Sequence, residues 1–312
     1  MRTFEIVSDA SCDLNHELRE RFGIYDDLVK SDVVMPDGTT KESDSEWKTF
    51  DPKQYFESMR SKKVVYKSAV RGVEEFKRVL EKILKEGKDV LCVTLSSSMS
   101  ASYSLFNKAK EELLKTYTDR KILIVDSLRY STAEGMLAIY AAKLRDEGKS
   151  IDETAKWLEE NKHRFHQMGP LDDLFFLHKS GRISFGKAFF GTLAGIMPLG
   201  DFNHEGRTTI LNKAKGFKNA LKATVEYIKA TITNPEDQII FIAHTNRDEK
   251  ALKLKELIEK EINCKEVIIS MVGQICGANI GPGLVAAFYV GKPISVDCKE
   301  EEAIMKGIFA KL

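Results

Sequence analysis

Short apolar runs and stretches of helical periodicity alternate along the first half of the chain. Apolar runs with the length of buried strands occupy residues 4–7, 90–95 and 121–125. Helices are predicted at residues 15–22, 52–59, 74–85, 107–115, 132–147 and 151–162. In one of these helices Phe76, Val79 and Ile83 share a face. This alternation predicts a parallel sheet with helices on both faces.

The second half continues the alternation. Strands are predicted at residues 208–212, 238–243, 267–271 and 284–290, and helices at residues 217–230 and 249–260. The segment 188–199 is nearly uncharged, so it either packs between layers or lines an apolar cavity. Because 312 residues are many for one core, we expect two α/β domains, residues 1–162 and residues 163–312.

Polar side chains follow the predicted strands of the first domain where each strand ends. Asp9 and Ser11 follow the first strand, Ser96–Ser98 follow the second, and Asp126 follows the third. Carboxyl ends of parallel strands share one edge of a sheet, where helix N–H groups also gather. We therefore expect a small anion, such as a carboxylate or phosphate, to bind there. The serines could instead only cap a helix, and the aspartates could only hold loop N–H groups.

Composition narrows the classes of function. The 48 basic and 47 acidic residues leave a net charge of +1, so no overall field attracts nucleic acid or an anionic membrane. Lys213, Lys215 and Lys218 cluster locally, as a solvated helix start or as a contact near a bound ligand. A hydrophobic fraction of 43% with 30% charged residues is typical of a soluble globular protein.

The cysteines and the N-terminus indicate a cytoplasmic protein. The five cysteines are scattered without Cys-x-x-Cys spacing, which fits a reducing compartment, and Cys92 lies in a predicted buried strand. The chain begins directly with a strand rather than with the apolar core of a signal peptide. No stretch approaches the roughly 18 consecutive apolar residues of a membrane span, so we expect no integral membrane segment.

The segment 273–283 is rich in glycine and contains Pro282, which indicates a backbone that approaches another group closely. It is not a phosphate-binding loop of the GxxxxGK[ST] type, and no GxGxxG fingerprint follows the first strand. We therefore expect no nucleotide cofactor.

Several segments resemble, in order, the signatures of the DegV family of bacterial fatty-acid-binding proteins. Ile6–Leu14 (IVSDASCDL) resembles the opening V-T-D-S-x-x-D-L, and Leu95–Tyr103 (LSSSMSASY) resembles L-S-S-x-L-S-G-T-Y. Lys67-Ser68 resembles part of K-T-S-Q-P-S, Leu177–Ser184 (LHKSGRIS) resembles L-x-x-G-G-R-I-S, and Gly281–Gly283 resembles the end of H-x-G-P-G. The resemblance runs from about residue 4 to residue 290.

The resemblance implies a non-catalytic protein that holds one long-chain fatty acid in an apolar tunnel between two α/β domains. By position, the carboxylate-binding hydroxyls are those of Ser68 and Ser100, with Ser97 as a helper. A secondary head-group region comprises Ser96, Arg182, Lys215 and Asn279. The expected tunnel-lining residues are Phe175, Phe176, Phe189, Leu193 and Ile196. The fatty acid is the only ligand implied, with no metal and no catalytic residue.

In some members of the family a separate fatty acid kinase phosphorylates the carboxylate of the bound lipid. Lys215 stands where the K-x-R-G signature has arginine, which keeps the charge and loses the bidentate fork. Asn279 replaces the histidine of H-x-G-P-G and lacks its titratable group. Ser180 and Ala101 each replace a glycine. Lipid binding fits these residues better than a kinase partner does, so storage, transport and sensing stay open.

An enzyme is the alternative class, in the form of a serine-dependent hydrolase of acyl esters. A serine of residues 96–100 would be its nucleophile, and His178 or His244 would be its base. No histidine lies near these serines in sequence, and no G-x-S-x-G elbow surrounds them. The sequence therefore favours binding over catalysis.

Overall fold

The structure is a computed structural model that describes residues 4–184 and 195–312. The described residues form two compact units. The first unit comprises the chain up to Thr49, Tyr66–Lys162 and Gly273–Cys276. The second comprises Phe50–Val65, the described part of His163–Val272, and Gly277–Leu312. The first unit thus includes a short segment from after Lys162, Gly273–Cys276, and the second includes one from before His163, Phe50–Val65.

The strands of the described residues are, in chain order, β1 (Phe4–Val7), β2 (Ser31–Val34), β3 (Thr40–Glu42), β4 (Lys67–Val70), β5 (Asp89–Thr94), β6 (Ile122–Asp126), β7 (Phe165–Pro170), β8 (Ile183–Ser184), β9 (Ile196–Phe202), β10 (Thr208–Lys215), β11 (Ile239–His244), β12 (Glu266–Met271) and β13 (Val285–Val290).

The α-helices of the same residues are α1 (His16–Phe22), α2 (Pro52–Met59), α3 (Val73–Lys85), α4 (Ser102–Leu113), α5 (Thr132–Asp146), α6 (Ile151–Asn161), α7 (Phe175–Ser180), α8 (Phe217–Thr231), α9 (Asp248–Glu261), α10 (Gln274–Ile280) and α11 (Lys299–Phe309). None of them is long and apolar enough to cross a membrane.

The first unit contains the predicted parallel sheet, with strand order β1-β5-β6. A second sheet, of order β3-β2-β4, is antiparallel, and its β2–β3 turn contains Gly38 at φ 87°. On the parallel sheet, α3 and α4 meet through the rings of Phe76 and Phe106, whose centroids lie 4.7 Å apart at an edge-to-face angle. These fully buried rings are part of the core that covers β5.

The register of the parallel sheet sets where its polar strand ends lie. Val7 pairs with Cys92, and Thr94 pairs with Asp126, so the strands finish at a common edge. Ser8–Ser11, the serine turn (residues 96–100) and the end of β6 therefore emerge together, as the alternation of strands and helices predicts.

Two helix starts in the first unit illustrate what local sequence encodes. Ser150 and Glu153 form a reciprocal capping box at the start of α6, a pairing of serine with glutamate three residues later that is visible in the sequence. The prediction that the helix after the serine turn begins at Asn107 is wrong, because α4 begins at Ser102. The N–H of Ser102 donates to the Ser100 hydroxyl, which satisfies one of the donors in the first turn of the helix. The serine-rich composition of this run is typical of a loop, so it gave no sign of a helix start.

The second unit is built on a seven-stranded mixed sheet of order β12-β11-β13-β7-β9-β10-β8. Strands β11 and β12 are parallel, whereas β11, β13, β7, β9 and β10 are joined by antiparallel pairs. Sequence periodicity does not predict β7 or α10. Within segment 188–199, residues 196–199 belong to β9, Gly195 is a turn residue before it, and residues 188–194 lie outside the described residues.

The glycine-rich segment does approach other groups closely. Gly281 has φ +78°, and a Cβ at this position would overlap the ring of Phe176. Gly283 has φ +107° and lies against the Asp172 side chain in the same way. Both positions therefore need glycine for backbone conformation and for space.

Candidate anion-binding site

The serine turn is closed on itself and tied to the loop after β6. The carbonyl of Ser96 accepts the N–H of Met99 at 3.0 Å and the N–H of Ser100 at 3.1 Å. The N–H of Ser96 donates to the carbonyl of Arg129 at 2.8 Å. These bonds fix the path of the backbone, so the hydroxyls of the turn are presented from a defined scaffold.

Ser100 has a geometry that suits both a helix cap and an anion ligand. Its hydroxyl oxygen accepts the N–H of Ser102 at 3.2 Å and lies 3.2 Å from the Ser102 hydroxyl. Accepting a bond occupies a lone pair and leaves the hydroxyl hydrogen to donate. The positive end of the α4 dipole lies at the same place. The cap and the anion site are therefore compatible roles for one side chain.

Ser96, Ser97 and Asp126 complete the turn. The Ser96 hydroxyl is fully buried and lies 3.0 Å from the hydroxyl of Ser98. Ser97 is exposed, and its N–H donates to Oδ1 of Asp126 at 3.1 Å. The same carboxylate oxygen accepts the N–H of Leu128 at 3.2 Å. Asp126 thus holds loop N–H groups, the structural role that sequence analysis left open for it.

Ser68 lies in the first unit on a different sheet from the serine turn. It is half-buried on β4, opposite Val33 of β2. The shared role of Ser68 and Ser100 toward one ligand stays a prediction.

The other predicted head-group residues lie in the second unit. Lys215 is exposed at the end of β10, where its cross-strand partner is Ile196. Arg182 is half-buried and donates to the carbonyl of Ser180. Asn279 is half-buried on α10. The role of these side chains at a head group stays a prediction.

The predicted tunnel residues differ in their surroundings. Phe175 is half-buried, and the ammonium groups of Lys62 and Lys179 lie 5.3 Å and 5.5 Å from its ring centre. Phe176 is buried and packs edge-to-face on Phe175. Ile196 is half-buried at the start of β9. Phe189 and Leu193 lie outside the described residues.

A buried pair of carboxyl groups lies close to the serine turn and was not predicted from the sequence. Asp9, after β1, and Glu134, in the first turn of α5, are both within 2% of full burial. The Ser11 hydroxyl contacts Oδ1 of Asp9 and lies 2.8 Å from Oε2 of Glu134. Burial raises the pKa of Asp9, and burial followed by the neighbouring Asp9 raises the pKa of Glu134. The Glu134 position resembles an ordinary first-turn acid in sequence, so nothing local identifies it.

Asp13 is a third buried acid of this region. Its Oδ1 accepts the N–H of Gly273 at 2.9 Å, and its Oδ2 contacts the Ser131 hydroxyl. Burial raises the pKa of Asp13 to about 7, against the lowering effect of these two bonds. Asp13 therefore ties the start of the chain to the segment before α10 within the first unit.

The histidines proposed for a hydrolase are engaged or exposed in the second unit. His244 accepts the N–H of Arg247 on Nδ1 at 3.0 Å, its Nε2 lies 3.8 Å from Asp248, and burial lowers its pKa. His178 is exposed on α7. A buried His166–Asp201 pair, joined at 2.6 Å, resembles part of a catalytic triad, but Nε2 of His166 lies 2.8 Å from the Lys292 carbonyl. The position of a nucleophile is thus already occupied there.

The described residues contain no metal-binding cluster, and a cavity in the second unit is not lined by the predicted site residues. No group of His, Cys, Asp or Glu within residues 4–184 and 195–312 has the arrangement to hold a metal ion. A cavity of about 850 Å³ in the second unit is lined by α8, α9 and α11, including Lys222, Leu257 and Ile304. It contains none of the predicted site residues.

Fold and site together define an α/β protein of two units, the first of which carries a hydroxyl-rich turn at the carboxyl edge of a parallel sheet. Residues 3–292 match the profile of a family described as "Uncharacterised protein, DegV family". The chain belongs to the DegV family, which confirms the resemblance found in its motifs.

Relatives match along nearly their whole length. A DegV domain-containing protein of Clostridium perfringens (strain 13 / Type A) is 32% identical over 291 residues, covering 93% of this chain and 98% of that protein. A solved DegV lipid-binding protein from Thermotoga maritima is 25% identical with a TM-score of 0.79, covering 93% of this chain and 99% of that one.

A second Thermotoga maritima structure, described as revealing a fatty acid binding function, is 25% identical with a TM-score of 0.78. The match covers 93% of this chain and 100% of that one. These similarities confirm the predicted fold class of two α/β units, the first with a parallel sheet flanked by helices.

Proposed function

We propose that this protein binds a single long-chain fatty acid without changing it chemically, and that Ser68, Ser97 and Ser100 hold the carboxylate. The observation that carries the proposal is the Ser100 hydroxyl, whose oxygen accepts the Ser102 N–H, so that its hydrogen can donate to the Ser102 hydroxyl or to a ligand. A carboxylate only accepts hydrogen bonds, so an available donor is what it needs. The fatty acid binding described for the Thermotoga maritima relative supports the class of ligand.

The acyl tail supplies most of the binding free energy in this proposal. Each buried CH₂ contributes about 0.8 kcal/mol, so a sixteen-carbon tail could contribute on the order of 10 kcal/mol before the cost of association. Phe175, Phe176 and Ile196 are the described residues that we propose to line the tail, and the sequence-based prediction adds Phe189 and Leu193. The hydroxyls then need only to orient the lipid, which suits neutral donors.

Presentation of the lipid to a separate fatty acid kinase is the second part of the proposal. The exposed side chain of Lys215 is accessible to a partner protein. Arg182 and Asn279 are the other polar residues that we propose to lie near the head group. A lysine offers charge without the fork of an arginine, so we expect a weaker phosphate contact than K-x-R-G provides. A kinase subunit supplied with ATP should consume it faster with lipid-loaded protein than with lipid-free protein.

Hydrolysis by a serine is less well supported. The oxygen of Ser100 is used as an acceptor by Ser102, and the buried hydroxyl of Ser96 faces Ser98. A general base must accept the proton of the nucleophile, and the nitrogens of His244 are engaged by Arg247 and Asp248. A serine-reactive phosphonate probe should therefore fail to label the protein.

Native mass spectrometry of the purified protein, followed by denaturing lipid extraction, tests the proposal. We expect one added mass that matches one long-chain fatty acid and is recovered unchanged in the extract. A protein that stays lipid-free after incubation with palmitate and with oleate would contradict it. Recovery of a shortened or de-esterified product from an added acyl ester would instead favour the hydrolase.

A further inference from the structure

A hydrogen-atom count around Ser8 constrains the charge of Glu134. The Ser8 hydroxyl lies 3.0 Å from the carbonyl of Val93 and 2.9 Å from Oε1 of Glu134. A hydroxyl has a single hydrogen to donate, and a carbonyl and an ionised carboxylate can only accept. Both contacts contain a hydrogen if Glu134 is protonated on Oε1 and donates to Ser8, which then donates to Val93.

The same count applies to Ser11. Its hydroxyl contacts Oδ1 of Asp9 and lies 2.8 Å from Oε2 of Glu134. With the Glu134 proton on Oε1, the Ser11 hydrogen goes to Oε2, and the contact with Asp9 needs a proton from Asp9 itself. Every contact in the group holds one hydrogen only when both carboxyl groups are protonated. The donation then runs in one direction, from Asp9 through Ser11, Glu134 and Ser8 to the Val93 carbonyl.

This group of side chains reaches the serine turn. The Ser102 hydroxyl is close enough to the Asp9 carboxyl to lower its pKa, and it lies 3.2 Å from the hydroxyl of Ser100. An ionised Asp9 would attract the Ser102 hydrogen toward itself and place a negative charge behind Ser100. A neutral Asp9 neither draws the Ser102 hydrogen away nor repels an anionic ligand at the Ser100 hydroxyl.

We propose that Asp9 and Glu134 are both uncharged and, with Ser8 and Ser11, form a carboxyl relay that positions Ser102 and Ser100 for a fatty acid carboxylate. This inference rests on the proposed function for its ligand, while the proton count stands on the protein alone. Asp9 is a positioning residue, because it acts through Ser102 and does not itself meet the ligand.

The surroundings of the relay agree with two neutral acids. Burial raises the pKa of Asp9 and of Glu134. The other ionisable groups that face the pair are Asp13 and the thiols of Cys12 and Cys276, whose pKa values burial also raises. A described cation of this region is Arg19, which faces Cys12, and its guanidinium already binds Asp26 and the Leu14 carbonyl.

The first test is the pH profile of palmitate binding. We expect the affinity of the unmodified protein to fall at least about tenfold as the pH rises from 6 to 10 and the relay ionises. Glu134→Gln replaces the O–H that donates to Ser8 by an N–H and keeps an oxygen for Ser11, so this variant should bind palmitate as tightly as the unmodified protein at pH 6. Asp9 is left unchanged, because its Oδ1 accepts the Ser11 N–H at 2.9 Å and an amide nitrogen could not. Asp13→Asn is the matched control, because it removes a neighbouring acid and should retain the decline.

A flat profile in the unmodified protein, or a folded Glu134→Gln variant that binds more than about tenfold more weakly at pH 6, would overturn the proposal. The second test needs no ligand: ¹³C NMR of labelled Asp and Glu carboxyl carbons, assigned through Asp9→Asn and Glu134→Gln. The two carboxyls should still have protonated chemical shifts at pH 7. Ionised shifts there would refute the relay, whereas protonated shifts without any palmitate binding would refute only the proposed function.

Discussion

The hydroxyl oxygen of Ser100 accepts the backbone N–H of Ser102 across 3.2 Å, at the start of α4. One side chain thereby satisfies a first-turn donor of the helix, and its hydrogen can donate to the Ser102 hydroxyl or to the proposed ligand. A structural role for Ser100 at the start of α4 is therefore compatible with the proposed role in binding the carboxylate.

Asp13 should make stability depend on pH. Its folded-state pKa of about 7 is above the ordinary value of 3.8, so the folded protein binds more protons than the unfolded chain between these pH values. The contribution of Asp13 to the free energy of unfolding should therefore be largest below about pH 4. It should fall by about 4 kcal/mol as the pH rises to 7. Urea unfolding at intervals from pH 4 to 8 measures the slope.

Asp13→Asn should reduce that slope. An asparagine can accept the Gly273 N–H and donate to the Ser131 hydroxyl, and it tolerates the φ of 52° at this position. Asp37→Asn is the control, because Asp37 is an exposed turn residue with a lowered pKa. An unchanged slope in Asp13→Asn would show that Asp13 is ionised across the range.

Gly281→Ala should destabilise the protein more than Gly87→Ala does. Both glycines have positive φ, +78° and +74°, but only at Gly281 would the new Cβ meet a neighbour, the ring of Phe176. We expect a cost of about 1–2 kcal/mol from backbone strain at either site. The clash should add about 1–3 kcal/mol at Gly281. Equal losses in thermal or urea unfolding would mean that Phe176 moves away without cost.

Phe175→Ala tests the proposed acyl-tail contacts. Because Phe175 is half-buried, its loss should cost only about 1 kcal/mol of stability, whereas it should weaken palmitate binding about tenfold. The effect should be smaller for a ten-carbon acid, whose tail covers less of the lining. Val296→Ala, at a residue 79% exposed, is the control that should change neither quantity. Unchanged palmitate affinity in Phe175→Ala would remove this residue from the tail-binding surface.

Lys215→Ala distinguishes a partner contact from a ligand contact. An exposed lysine that serves a partner protein should leave palmitate affinity within about twofold when it is removed, since exposed charges interact weakly. The measurement is equilibrium binding of palmitate, with Lys218→Ala as a nearby exposed control. A loss of tenfold or more in Lys215→Ala alone would place Lys215 at the carboxylate.

Local periodicity was sufficient to predict most elements of the first unit. The core faces of β1 and α3 are encoded by residues close together in sequence, so their predicted and observed limits agree within a residue. In the second unit, β7 carries the polar residues His166 and Gln167, which are buried and bonded to Asp201. A buried polar network of that kind hides a strand from any apolar pattern.

The candidate site likewise contains a part that the sequence predicts and a part that it does not. The serine turn could be predicted because hydroxyls, a strand end and a helix start are adjacent in sequence. The contact of Ser11 with Glu134 joins residues 123 positions apart, and only the packing of α5 near β1 brings them together. The beginning of α4 was also missed, because the Ser100–Ser102 bond depends on turn geometry rather than on helix propensity.

The most direct measurement is equilibrium binding of palmitate to Ser68→Ala, Ser100→Ala and the double variant. The control is Ser104→Ala, whose hydroxyl lies on the same helix as Ser102 and donates to the Ala101 carbonyl at 2.8 Å. A hydrogen bond to a charged group contributes about 1.5–3 kcal/mol, so each site variant should bind about 10- to 100-fold more weakly, and Ser104→Ala should bind normally. Normal binding by the folded double variant would contradict a carboxylate held by these serines.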